Sequence, residues 1–119
     1  MDVWQTRSGQ FKALANVWFC AVDAAADEKE LLAAVRDYLA TWSPLELSLI
    51  PEGCRPGRIG GMEEIGELAF KLGKARVGLQ GTATDRAIFE RLHAFFMQAN
   101  IQASRLLAAQ ARLDAANQP

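Results

Sequence analysis

Glu90-Arg91-Leu92-His93 sets a carboxylate and an imidazole three residues apart. Helical bundles use this Glu-x-x-His spacing to aim two ligands at a di-iron site. The surrounding pattern argues against that use. An apolar stripe centred between Leu92 and Phe96 leaves His93 at its edge and Glu90 about 140° away, facing solvent or a partner. A complete site needs a second such pair, and the chain has 1 histidine. The expectation is a protein with neither metal nor cofactor.

A second group with chemical capacity is Cys54-Arg55-Pro56-Gly57-Arg58, followed by Gly60-Gly61 and a helix start. Flexible backbone, two guanidinium groups and the free N–H groups of Met62 to Glu64 are the ingredients of an anion cradle. Glu63 and Glu64 put negative charge where the anion would sit, and no Gly-Lys-Ser or Gly-Lys-Thr completes a phosphate loop. Cys54, Arg55 and Arg58 therefore stand as tentative binding residues. The competing reading is a turn whose arginines bond the ends of neighbouring helices. Cys54 as a nucleophile would have only His93 as its base.

The third group is a surface. Ala94, Met97, Ile101, Ser104, Ala108 and Ala111 recur three and four residues apart, opposite the apolar stripe of the same segment. A helix that is apolar on two sides is usually covered on two sides. Alanines on an open face also serve helix propensity alone, but Met97 and Ile101 do not. Ala94, Met97, Ile101, Ser104 and Ala108 are accordingly the candidate interface of a homodimer, in which Ser104 fits only if its hydroxyl finds a partner such as a backbone carbonyl one turn back in its own helix.

Helices must position all three groups. Ser8 opens a segment with Phe11, Leu14, Ala15, Trp18, Val22 and Ala25 on one face, although Val17 to Val22 also reads as a buried strand. Phe11, Trp18, Ala25, Leu32 and Leu39 stay in phase, so this segment and the next could form one long helix. Asp27 and Glu30 resemble a capping pair for a helix with Leu31, Leu32, Val35, Tyr38, Leu39 and Trp42 on its face. Ser43-Pro44-Leu45-Glu46 starts a short helix closed by Pro51, against an alternating, strand-like reading of Leu45 to Ile50. After the loop from Pro51 to Gly61, a helix starts at Met62 and ends before Gly78. Its core face is Ile65, Leu68, Ala69 and Leu72, and Gly66, Ala69 and Gly73 form a smooth strip for a close neighbour.

The last segment starts at Thr84 or Asp85. It carries Ile88, Phe89, Leu92, Phe95, Phe96, Ala99, Ala103, Leu106, Leu107 and Leu113 as its main stripe over some thirty residues, about 45 Å. That exceeds the roughly 30 Å width of a compact domain of this size, so either the other helices match its length or its end projects. The fold expected over residues 1–119 is one all-α domain, a bundle of about four helices with a long C-terminal helix. The alternative is α+β, with strands near 17–22 and 45–50.

Composition narrows the function. Thirteen Lys and Arg are scattered among 14 Asp and Glu for a net charge of -1, which disfavours nucleic acid. Apolar runs fall far short of the roughly 20 residues of a membrane span. Met1 to Gln5 resembles no signal peptide and the 2 cysteines no disulfide framework, so a cytoplasmic protein with free thiols is expected. Three functional classes follow: a non-enzymatic helical interaction or regulatory protein acting as a homo-oligomer, a small-molecule binding module with an aromatic-lined cavity around Trp18, Trp42, Phe95 and Phe96, and a small enzyme using the Cys54 to Arg58 loop. The scattered charge predicts no useful affinity for duplex DNA at physiological salt, and sub-micromolar, salt-sensitive gel shifts would contradict it.

Overall fold

The computed structural model describes residues 17–117. The expected helix start at Ser8, with Phe11, Leu14 and Ala15, lies outside the described residues. Residues 17–23 are helical (α1), and Glu28–Ala40 (α2), Pro44–Ser48 (α3), Met62–Val77 (α4) and Ala83–Ala116 (α5) follow, with a 3₁₀ turn at Glu52–Cys54. The fold is all-α with a long C-terminal helix, and there is no strand among the described residues.

The two strand-like segments are helical for different reasons. In Pro44–Ser48, Ser43 accepts from the Glu46 N–H at 3.1 Å while the Glu46 carboxylate accepts from the Ser43 N–H at 3.1 Å. That closed capping box outweighs the alternation of Leu45 to Leu49. In 17–23, Val22 is fully buried and Trp18 and Phe19 pack on the core from the same helical face. The in-phase repeat does not produce one long helix. Asp27 caps α2 by accepting from the Glu30 N–H at 2.8 Å, and Glu30 reaches back to the Ala26 N–H at 2.8 Å. The chain breaks at the only local N-cap signal between the two apolar faces.

Side-chain contacts fix the directions. Phe19 stacks near Phe95, Asp23 accepts from Gln98, and the Ala25 carbonyl accepts from buried Gln102 at 2.8 Å, so α1 runs parallel to α5. From Ala25 the chain returns along α2, with Tyr38 on Phe95 and Trp42 under Arg91, antiparallel to α5. The α4 helix is antiparallel as well. A Cβ on Gly66 would stand 3.2 Å from Asn100 Oδ1, one on Gly73 would stand 3.5 Å from His93 Nε2, and Arg76 bonds Glu90. The smooth strip expected on α4 is therefore the side that α5 approaches.

The buried stripe of α5 is Phe89, Leu92, Phe95, Phe96, Ala99 and Ala103, joined by Gln102. It meets Leu31, Leu32, Val35 and Tyr38 of α2 and Ile65, Leu68, Ala69 and Leu72 of α4 in one core. The stripe read from the sequence runs too far. Leu107 is 56% exposed and Leu113 58% exposed, and every residue from Leu107 to Asn117 is open to solvent. The 34-residue α5 outruns the 13 residues of α2 and the 16 of α4, and the described chain extends 63 Å along its longest axis. Its end projects.

A stability contrast follows. Phe96→Ala should cost about 3–5 kcal/mol, whereas Leu113→Ala should fall within about 0.5 kcal/mol of the parent. Urea denaturation of both variants checks this, and comparable losses would mean that the end of α5 is covered.

Candidate functional site

Two places among the described residues bear on chemistry and recognition. The first is where α1, α2, α3 and α5 converge on Arg91. Its Nη2 donates to Glu46 Oε2 at 2.6 Å, and its guanidinium carbon stands 4.4 Å from the centre of the Trp42 ring. Tyr38 stacks on Phe95 with ring centres 3.7 Å apart and meets Trp42 and Trp18 edge-on at 6.2 and 6.3 Å.

This environment sets two ionisations. Burial pushes the Tyr38 hydroxyl above its ordinary value, overcoming Trp42 and Arg91, which favour the phenolate; the Glu46 charge adds to the rise. For Glu46, burial works upward, but hydrogen bonds from the Ser43 backbone and Arg91, with the Arg91 charge, hold the carboxyl below the ordinary glutamate range. The cluster thus consists of a neutral phenol, a paired carboxylate and a paired guanidinium at neutral pH. It offers neither a poised general base nor an activated nucleophile.

Beside it lies a cavity of about 120 Å³ lined by Phe19, Tyr38, Arg91, Ala94 and Phe95. Ligand pockets usually hold about 300–1,000 Å³, and a cavity of about 150 Å³ accommodates benzene. The space suits a guest no larger than a small apolar ring. Of the aromatic residues expected to line a cavity, Phe95 does so. Trp42 is instead covered by Arg91, and Phe96 is fully buried. Phe19, Tyr38 and Arg91 were not legible as lining residues, because their meeting depends on how α1 and α2 fold back on α5.

The second place is the outer face of α5. Ala94, Met97, Ile101, Ser104 and Ala108 are all exposed, with Met97 at 42% and Ile101 at 43%. These five lie on one continuous strip between the flanks held by α1 and α4, since α1 contacts Gln98 and α4 approaches His93 and Asn100.

The loop residues are placed otherwise. Cys54 is buried, its Sγ 3.7 Å from the Lys71 carbonyl. Arg55 donates to the Ile50 carbonyl at 2.8 Å and to the Ser48 carbonyl at 3.1 Å, holding the end of α3. Arg58 is exposed. Glu64 accepts from the Gly60 N–H at 2.9 Å, so a carboxylate of the chain occupies the start of α4. Glu90 bonds Arg76 at 2.6 Å, and no group of three His, Cys, Asp or Glu side chains among the described residues could hold a metal ion.

No protein-family model, curated protein or solved structure matches the chain.

Tyr38 is the chain's 1 tyrosine, so the rise in absorbance at 295 nm on ionisation, above the constant tryptophan background, reports it. Its folded pKa is raised, so this group's contribution is fully present below the unfolded value of about 10 and is lost as pH rises through the higher folded value. Tyrosinate should appear at higher pH in the folded protein than in the urea-unfolded chain, with helicity falling in step. Coincident titration curves would contradict the burial of the hydroxyl.

Proposed function

We propose that the chain is a non-enzymatic helical interaction protein that acts as a homodimer through the outer face of α5. The observation that carries this reading is the exposure of Met97 and Ile101, 42% and 43%, on the side of α5 opposite its buried stripe. Alanine and serine at 94, 104 and 108 let a second helix backbone come close, and the two larger side chains fill the contact. A two-fold pair of identical faces is the commonest arrangement of soluble oligomers.

Because Met97 and Ile101 are already more than half buried in the single chain, covering the remaining 42% and 43% in both subunits contributes about 2.5–5 kcal/mol gross, at about 1.5–3 kcal/mol for a fully exposed side chain. The rigid-body cost of association is about 4–15 kcal/mol. The gain lies at or below the cost, so the rest of the face must supply much of the binding energy. An enzymatic reading of the Cys54 to Arg58 loop has less support, because Cys54 faces inward and Arg55 is bonded to carbonyls. Free thiols at Cys20 and Cys54 favour a reducing, cytoplasmic setting. No helix among the described residues is long and apolar enough to cross a membrane.

Light scattering across a concentration series should give the mass of two chains. Ile101→Glu should shift the protein towards one chain with its helicity retained, because the buried stripe is untouched. A wild-type monomer at high concentration, or an Ile101→Glu chain that unfolds, would overturn the reading.

A further inference from the structure

On the basis of the dimer proposed above, the pattern of α5 points to a specific pairing: we infer that two α5 helices cross antiparallel about a two-fold axis at Ile101, with Glu90 of each copy opposite Arg112 of the other. At 100° per residue, Ala87, Glu90, Ala94, Met97, Ile101, Arg105, Ala108, Arg112 and Ala115 lie within about 40° of one line along the helix. This line is nearly a palindrome in chemical type. Four residues either side of Ile101 stand Met97 and Arg105, seven either side Ala94 and Ala108, eleven either side Glu90 and Arg112, and fourteen either side Ala87 and Ala115. Rotation about Ile101 sets alanine on alanine twice, Met97 along the aliphatic stem of Arg105, and a carboxylate against a guanidinium at both ends.

The alternatives fit less well. A parallel pair would place Glu90 on Glu90, Arg105 on Arg105 and Arg112 on Arg112, three like-charge contacts. An antiparallel axis moved to Ala108 would take Glu90 beyond the end of the second helix. Among the described residues no element of the same chain covers Met97 or Ile101, which stay 42% and 43% exposed. Glu90 is 42% exposed and gives Oε1 to Arg76. Its carboxylate thus leans towards α4 but stays partly open, so a guanidinium arriving from the second copy can share it.

The test is disulfide trapping in a Cys20→Ser background, which removes the exposed native thiol. Facing Cα atoms of helices in contact fall within disulfide reach only close to the axis or at matched positions. Ile101→Cys should oxidise to a covalent dimer at least about tenfold faster than Ala94→Cys, because only the first thiol meets its own copy at high effective concentration. Ala94→Cys combined with Ala108→Cys should trap the dimer as fast as Ile101→Cys. Glu90→Arg and Arg112→Glu should each weaken the dimer by about three- to tenfold, and the double variant should recover. A wild-type dimer in which Ile101→Cys fails to cross-link, or Ala94→Cys alone links as fast, overturns this pairing and leaves the dimer standing. A monomer at all concentrations overturns both.

Discussion

The apolar stripe on the first two-thirds of α5 is the constraint on which the other helices depend. The Ala25 carbonyl accepts from Gln102, Gly66 approaches Asn100, Asp23 accepts from Gln98, Tyr38 stacks on Phe95, Gly73 approaches His93, and Glu46 pairs with Arg91. These contacts fall at successive turns of one helix. The polar ones fix where each neighbour sits along α5, while the stripe from Phe89 to Ala103 supplies the apolar area that holds it there. The short helices gain little alone: α3 buries no residue fully and is held by its capping box and by Arg55 and Arg91.

Arg91 is the most exposed to failure of these contacts. Its side chain is 23% exposed and that of Glu46 25%, so neither charge is well hydrated. Removing one member of such a pair leaves the other partly desolvated without its counter-charge, which costs more than the pair itself contributes. The cation also covers the Trp42 ring. One guanidinium thus joins α2, α3 and α5 and closes one wall of the small cavity.

What could be read in the sequence divides by range. The starts of α2 and α3 and the end of α4 were legible because their signals are local: Asp27 with Glu30, Ser43 with Glu46, Gly78 after the basic last turn of α4. The buried faces of α2 and α4 were legible through periodicity. The state of 17–22 was ambiguous because Val, Trp, Phe and Cys suit a buried strand as well as a buried helix. The extent of the core along α5 was illegible for another reason. Periodicity records which side of a helix is apolar, whereas Leu107 and Leu113 are exposed because α2 and α4 end before reaching them. Gln102 gave no signal, since a buried amide is recognisable only from the Ala25 carbonyl it satisfies. The outer strip of α5 was legible as the apolar set that the core did not need.

The uncovered end of α5 also has a thermal consequence. From Ser104 to Ala116 the helix has thirteen residues, five of them alanine, and in the single chain no other element among the described residues fixes its outer turns. A helix of this length is marginal in water even with good helix formers, because nucleation is unfavourable and only about one hydrogen bond is gained per residue added. Attached to a packed stem it needs no nucleus and melts from its tip inward. Its amides exchange with solvent at a rate set by this local fraying, and the unwinding proceeds on warming well before the core gives way. The unpaired chain therefore has two melting regimes, a gradual one written in alanines and a cooperative one written in phenylalanines, and pairing with a second copy would merge them.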